Sequence, residues 1–240
     1  MVPTYMGVLR ALRRGGRTSL GGEAASSVLG AAGAAATWDA HATRYARQER
    51  LEARAIAAAL RLADPGPQDR LVDLATGTGL LLRALATSDR RPAVAIGVDR
   101  SEGMLARVGG LPEGWQVIHG DARDVSLPDE DADVVTCCYL LHLLDAEDRG
   151  RVLREARRLL LPAPGSRLLI VTVWADPRTI GGRVANGLLR RLARARPAAW
   201  GGLMPLDPAP ELAAAGLIAT HRIVLPRGGY PSLVLRARRV

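Results

Sequence analysis

The segment Leu71–Leu85, LVDLATGTGLLLRAL, constrains the fold of this 240-residue chain more than any other. It reads as an apolar strand carrying an acid, Asp73, then a Gly-Thr-Gly turn at Gly77–Gly79, then a leucine-rich helix. A turn with little side-chain bulk lets the backbone approach a ligand closely, and glycine reaches left-handed conformations without steric cost. The helix that follows offers unpaired N–H groups and the positive end of its dipole to an anionic group. Strand, glycine turn and helix in that order open a parallel α/β sheet that holds a nucleotide-like ligand.

The same rhythm continues downstream. Strands are predicted over 70–75, 93–99, 115–120, 132–138 and 167–174, alternating with helices from Gly79, over Ser101–Val108 and over Glu147–Leu161. Ser101 and Asp145 are placed to cap the latter two. Pro162, Pro164 and Gly165 end the last of them. Upstream, an alanine- and arginine-rich helix is predicted from about Ala42 to Leu62, stopped by Asp64-Pro65-Gly66-Pro67. After Trp174 the rhythm changes. Residues 175–208 read as an irregular insert with one basic helical stretch, Val184–Arg196. A short helix at Pro210–Ala215 then leads to two consecutive strands, Ile218–Leu225 and Ser232–Arg236, joined by Pro226-Arg227-Gly228-Gly229. Residues 1–36 are rich in Gly, Ala, Ser and Arg without a sustained period and read as a flexible tail, which leaves 37–240 as one domain.

Composition bounds the compartment and the partners. Lysine is absent, so all 33 basic residues are arginine, and phenylalanine is absent too, a bias toward GC-rich codons that weakens any functional reading of single arginines. The net charge of +9 favours phosphate-rich surfaces or anionic membranes. The two cysteines are adjacent, Cys137 and Cys138, which excludes a disulfide framework and a zinc site by spacing and fits a reducing compartment. No apolar run reaches the ~18 residues a membrane span needs. Ser27–Ala36 follows several arginines and loosely imitates a secretory signal, but Glu23 and the weak alanine-glycine core argue for a tail, and a cytoplasmic location is expected.

The glycine turn and an acid at the tip of the second strand would serve NAD as well. The dinucleotide fingerprint, however, requires a small residue where Leu82 stands, and a closing hairpin is foreign to a nicotinamide domain. Four segments taken in order resemble the class I S-adenosylmethionine-dependent methyltransferases, and within them the small-molecule branch that includes the ubiquinone/menaquinone C-methyltransferases. These are VDLATGTG (72–79), GVDRSEGML (97–105), GDARDVSLPDEDADVV (120–135) and LREARRLLLPAPGSRLLI (153–170). TWDAHATRYAR (37–47) resembles the W-D-x-x-A-x-x-Y segment that opens this branch. The resemblance implies a Rossmann-like seven-stranded, mostly parallel sheet with an antiparallel C-terminal hairpin strand and helices on both faces. It implies S-adenosylmethionine as cofactor.

The same resemblance distributes roles. The backbone of Ala75, Thr76, Gly77, Thr78 and Gly79 would take the amino-acid end of the cofactor, with Asp73 beside its amine or acting as a loop-stabilising acid. Asp99 would accept both ribose hydroxyls, since a carboxylate offers two acceptor oxygens. Arg100 and Met104 would flank the adenine, Met104 being equally readable as core. Asp121 would accept from the adenine amino group and Ala122 would donate a backbone N–H. Tyr139 follows the fourth strand at the cofactor's edge, and Tyr45, with Trp38, would close the first helix over it. His142 is the best-placed catalytic candidate, as a general base, a substrate contact or a structural residue. His119, His221 and the two cysteines read as structural.

The acceptor is less legible. At 137–140 the chain reads Cys-Cys-Tyr-Leu, without the acid or Asn, paired prolines and aromatic of enzymes that methylate nucleic-acid amino groups. Leu140, Leu141, Leu143 and Leu144 suggest an apolar acceptor surface, with 175–208 as the segment that selects it. The expected partner is therefore a small, apolar methyl acceptor such as a quinone, lipid or secondary metabolite, with no stable nucleic-acid partner and no bound metal. The high charge keeps an RNA methyltransferase open as an alternative, and a non-catalytic S-adenosylmethionine-binding protein is another. For Val184–Arg196, contact with a membrane surface and a plain solvated face both fit the sequence.

Overall fold

The computed structural model describes residues 45–174, 176–195, 204–226 and 231–240, with the side chains of 45–48 and 192–195 outside that description. The expected tail, Trp38 and the turn at 227–230 lie outside the described residues. The elements run α1 (Tyr45–Ala63), β1 (Arg70–Leu74), α2 (Leu80–Ala86), β2 (Val94–Asp99), α3 (Glu102–Leu105), β3 (Gln116–His119), β4 (Val134–Cys138), α4 (Ala146–Leu159), β5 (Arg167–Val173), α5 (Ile180–Ala195), α6 (Ala209–Ala214), β6 (Leu217–Leu225) and β7 (Ser232–Arg239).

Seven strands form one sheet in the order β3-β2-β1-β4-β5-β7-β6. Neighbours from β3 to β5 are parallel, and β7 runs antiparallel to both β5 and β6, so a single strand is reversed. The five inner strands are buried on both faces, while the edge strands β3 and β6 are exposed or half-buried along most of their length. Alternate residues of the inner strands divide two cores, as a period of two demands. Val72, Ile96, Val135 and Leu168 point to the face covered by α4 and α6, where Val152, Leu153, Ala156, Leu159 and Leu212 pack. Leu71, Ala95, Val134 and Leu169 point to the other face, against Ala55, Ile56 and Ala59 of α1 and Leu81, Leu82 and Leu85 of α2.

Local chemistry sets the boundaries. The Ser101 hydroxyl accepts from Met104 N at 3.1 Å and the Asp145 carboxylate accepts from Asp148 N at 2.9 Å, so both expected caps form. The helix expected over Ser101–Val108 is one turn long. Arg107 N and Val108 N donate to the carbonyls three residues back, which tightens the chain out of α geometry before Gly109-Gly110. The basic helix in the insert begins a turn earlier than its sequence pattern suggests, at Ile180.

Candidate active site at the switch point of the sheet

Strand order reverses between β1 and β4, whose neighbours in sequence cross to opposite sides, and in such sheets the ligand crevice opens beyond the strand ends at that point. The chain leaves both strands in a conformation that L-residues rarely adopt: Ala75 after β1 and Tyr139 after β4 each have φ of 58°. Two strained non-glycine residues on adjacent central strands mark a place where backbone direction is held for use. Gly77 and Gly79, at φ 57° and 75°, continue the left-handed pattern, and a Cβ at Gly77 would meet no atom within 4 Å. That face of the turn is open for close approach.

A small crevice, partly open to solvent, lies there, lined by Asp73, Ala75, Thr76, Gly77, Thr78 and Tyr139 together with Glu52, Ile56, Leu80, Leu81 and Cys138. Six expected site residues thus meet at one wall. Asp73 is buried and accepts a 2.6 Å bond from the Thr136 hydroxyl. Burial pushes its carboxyl up to about 6; the Thr136 bond pulls the other way and the nearby Asp99 charge adds to the rise. A buried carboxyl so destabilised as an anion is poised to gain from a cation.

Asp99 ends β2 with one oxygen accepting from Gly77 N at 2.8 Å and the other from Ser101 N at 2.9 Å. Burial raises its carboxyl, opposed by those two backbone donors. The bonds fix the carboxylate while leaving lone pairs on both oxygens. Further along the same edge, β3 lies beside β2 with His119 opposite Asp99, and Asp121 follows. Burial would raise the Asp121 carboxyl, but Arg123 bonds it through backbone N, Nε and Nη2, and the net direction is down. Arg123 also reaches Asp148 at 2.7 Å, tying this loop to α4. Arg100, Met104, Asp121 and Ala122 do not line the cavity; Met104 is fully buried beneath the edge.

His142 also stands outside the cavity wall. Its ring lies edge-on to Tyr139 with centroids 6.0 Å apart, and its Nδ1 is buried without a hydrogen-bond partner. Burial pushes its pKa down to about 3, so the imidazole stays neutral at physiological pH and is a poor proton acceptor. Tyr139 is anchored by a 2.8 Å bond between its hydroxyl and Ser232 and by its N–H to Val171 O. Cys137 is core, whereas Cys138 reaches the cavity wall, and burial raises both thiols, which keeps them unreactive. His119 and His221 are exposed.

The sequence reasoning missed the contribution of α1. Glu49 accepts from the Thr78 hydroxyl at 2.5 Å and from Arg83 Nη2 at 2.8 Å, latching the helix to the glycine turn, and Glu52 is buried in the cavity wall. A signal was present: these are the only acids of α1, three residues apart, in line with Ile56 and Ala59 on its buried stripe. Tyr45 begins the helix, and its side chain lies outside the described residues. Among the described residues no cluster of three or more His, Cys, Asp or Glu could hold a metal, and no helix is long and apolar enough to cross a membrane.

Residues 71–163 match the family model described as "Methyltransferase domain". That match spans 93 of the 240 residues, from β1 through α4, within the seven-stranded sheet whose seventh strand is reversed. The chain is 35% identical over 113 residues to a 2-phytyl-1,4-naphtoquinone methyltransferase of Synechococcus elongatus, covering 44% of this chain and 46% of that protein. It is 35% identical over 124 residues to a demethylmenaquinone methyltransferase of Clavibacter sepedonicus, covering 50% and 47%. The chain thus spans about half the length of these relatives. Among solved structures, an S-adenosylmethionine-dependent methyltransferase from Thermotoga maritima superposes with a TM-score of 0.61 at 19% identity, over 86% of this chain and all of that one, which establishes the likeness of fold.

Proposed function

We propose that this chain binds S-adenosylmethionine at the β1–β4 switch point and catalyses methyl transfer to a small apolar acceptor of the quinone type. The observation that carries the reading is the cavity in which the open Gly77 turn, the buried Asp73 and the anchored Tyr139 converge, with Asp99 fixed at the adjacent strand tip. These residues fit the cofactor: an acid destabilised by burial suits an ammonium group, and the bare face of Gly77 admits a backbone contact. The acceptor class is supported by the two quinone-methylating relatives; the leucines after Tyr139, expected to form an apolar acceptor surface, instead pack into the cores, Leu141 fully buried, and none lines the cavity.

When bound, the cofactor supplies an electrophilic methyl on a sulfonium. Asp73 would hold its amine, with Ala75–Gly79 around the amino-acid end; Asp99 would orient the ribose through lone pairs left free by Gly77 and Ser101. Arg100, Met104, Asp121 and Ala122, further along the edge, are assigned to the adenine, with Arg123 holding the Asp121 carboxylate in place. Tyr139 would shape the wall beside the reacting methyl, and Tyr45 would close the first helix over it. The rate gain comes from alignment of acceptor and methyl carbon in a site that excludes water. His142, kept neutral by burial, serves as an edge-on support for Tyr139 rather than as a base.

Titration calorimetry tests the cofactor. We expect saturable binding of S-adenosylmethionine and about a fiftyfold loss in Asp99→Ala, the scale of hydrogen bonds to a charged group. Tight NAD binding with none for S-adenosylmethionine would overturn the reading. Labelled methyl transfer into a demethylated naphthoquinone, against RNA as the competing acceptor, tests the substrate class.

A further inference from the structure

Helix α5 combines features that a solvated helix does not need. Its inner face is small or apolar: Gly182 and Ala185 are buried, and Leu189 packs against the cluster that contains Tyr139 and Val173. Its outer face should then be charged throughout. Instead Ile180 is 74% exposed and Val184 65% exposed, one helical turn apart, with the half-buried Leu188 completing the line. Only four large apolar residues are exposed among the described residues, and two of them stand here. Exposed Arg183, Arg190 and Arg191 border the stripe, and the whole helix carries no acid. The one acid before its first turn, Asp176, is paired with Arg178 at 2.9 Å.

We propose that the outer face of α5 docks the protein on an anionic lipid bilayer, Ile180, Val184 and Leu188 entering the acyl boundary and the arginines meeting the headgroups. A helix with an apolar stripe edged by cations lies in the plane of such an interface. The net charge of +9 favours the same partner. A second copy of the chain is a poorer occupant, because a two-fold contact would oppose these arginines to themselves. Nucleic acid would satisfy the arginines but gain nothing from Ile180 and Val184. The docking stands on the surface alone and does not depend on the methyl-transfer reading; since Leu189 joins α5 to the Tyr139 cluster, it would place the cavity near the bilayer.

Co-sedimentation of the full chain with vesicles tests it. Vesicles of phosphatidylcholine mixed with phosphatidylglycerol should retain about tenfold more protein than phosphatidylcholine alone, and salt should reduce the difference. Ile180→Asp with Val184→Asp should abolish retention while leaving the melting temperature and S-adenosylmethionine calorimetry unchanged. Arg183→Gln, Arg190→Gln and Arg191→Gln together should erase the preference for anionic vesicles. Equal retention on both vesicle types, or wild-type retention by the double Asp variant, would refute the proposal. So would a stripe-dependent dimer in sedimentation velocity that excludes vesicles, or RNA binding that the stripe variant leaves intact and that blocks vesicle retention. Failure of S-adenosylmethionine binding with intact retention would refute the cofactor reading and leave the docking standing.

Discussion

Asp73 shows at a single residue what a buried acid costs the free protein. Its carboxyl is raised from 3.8 to about 6, so the folded chain retains the proton that the unfolded chain releases. The resulting stability is complete below pH about 4 and lost as pH rises through about 6, by up to about 3 kcal/mol. Thermal unfolding without ligand should therefore show stability falling across that window, and Asp73→Asn should flatten the fall; an unchanged slope would show that Asp73 titrates normally. Residues of this kind were readable in sequence because each ends an apolar run at a strand tip. Others were not. Leu82 argued against a dinucleotide fingerprint by its size, but where its bulk goes depended on a distant strand. A Cβ at Gly97 on β2 would come within 2.9 Å of Leu82 Cδ1 and 2.8 Å of Thr76 Cγ2, so the small residue has moved from helix to neighbouring strand. Asp121 was likewise legible as an acid after β3, while its saturation by Arg123 depended on side-chain geometry that spacing alone does not specify.

Among the elements, α1 carries most of what the linear pattern hid. Its helical character follows from alanine and arginine content, yet its position across the glycine turn is fixed by Glu49. Glu49→Ala removes the acceptor for both Thr78 and Arg83 and should lower stability by about 1 kcal/mol, the discounted value for a charged bond that is partly exposed. Hydrogen exchange should accelerate in α1 and at Gly77–Gly79 but not in α4; uniform acceleration would mean global loosening instead of a released latch. The inner strands were the best-read elements, because burial on both faces writes near-continuous apolar runs. The short α3 was overread, since a cap and three apolar residues do not reveal that the chain tightens and stops at Gly109-Gly110.

For the whole molecule, ligand and fold should be coupled. S-adenosylmethionine at a hundredfold excess over its dissociation constant adds about 2.7 kcal/mol, which for a chain of this size raises the melting temperature by about 5 °C or more. Differential scanning fluorimetry reads that directly, and an unmoved midpoint under saturating ligand would contradict binding to the folded state. The seventh strand has a further consequence, one of timing. It is the last of this sheet's seven strands in chain order, yet it lies between β5 and β6. Until Ser232–Arg239 leaves the ribosome, β6 has no partner and β5 presents a bare hydrogen-bonding edge, in a run, RLLIVTV, that is buried throughout in the finished sheet. Such an edge invites pairing with another nascent chain. The growing polypeptide must therefore hold a half-built sheet in waiting, and polysome crowding or a ribosome stalled before Ser232 would be felt first as aggregation through β5.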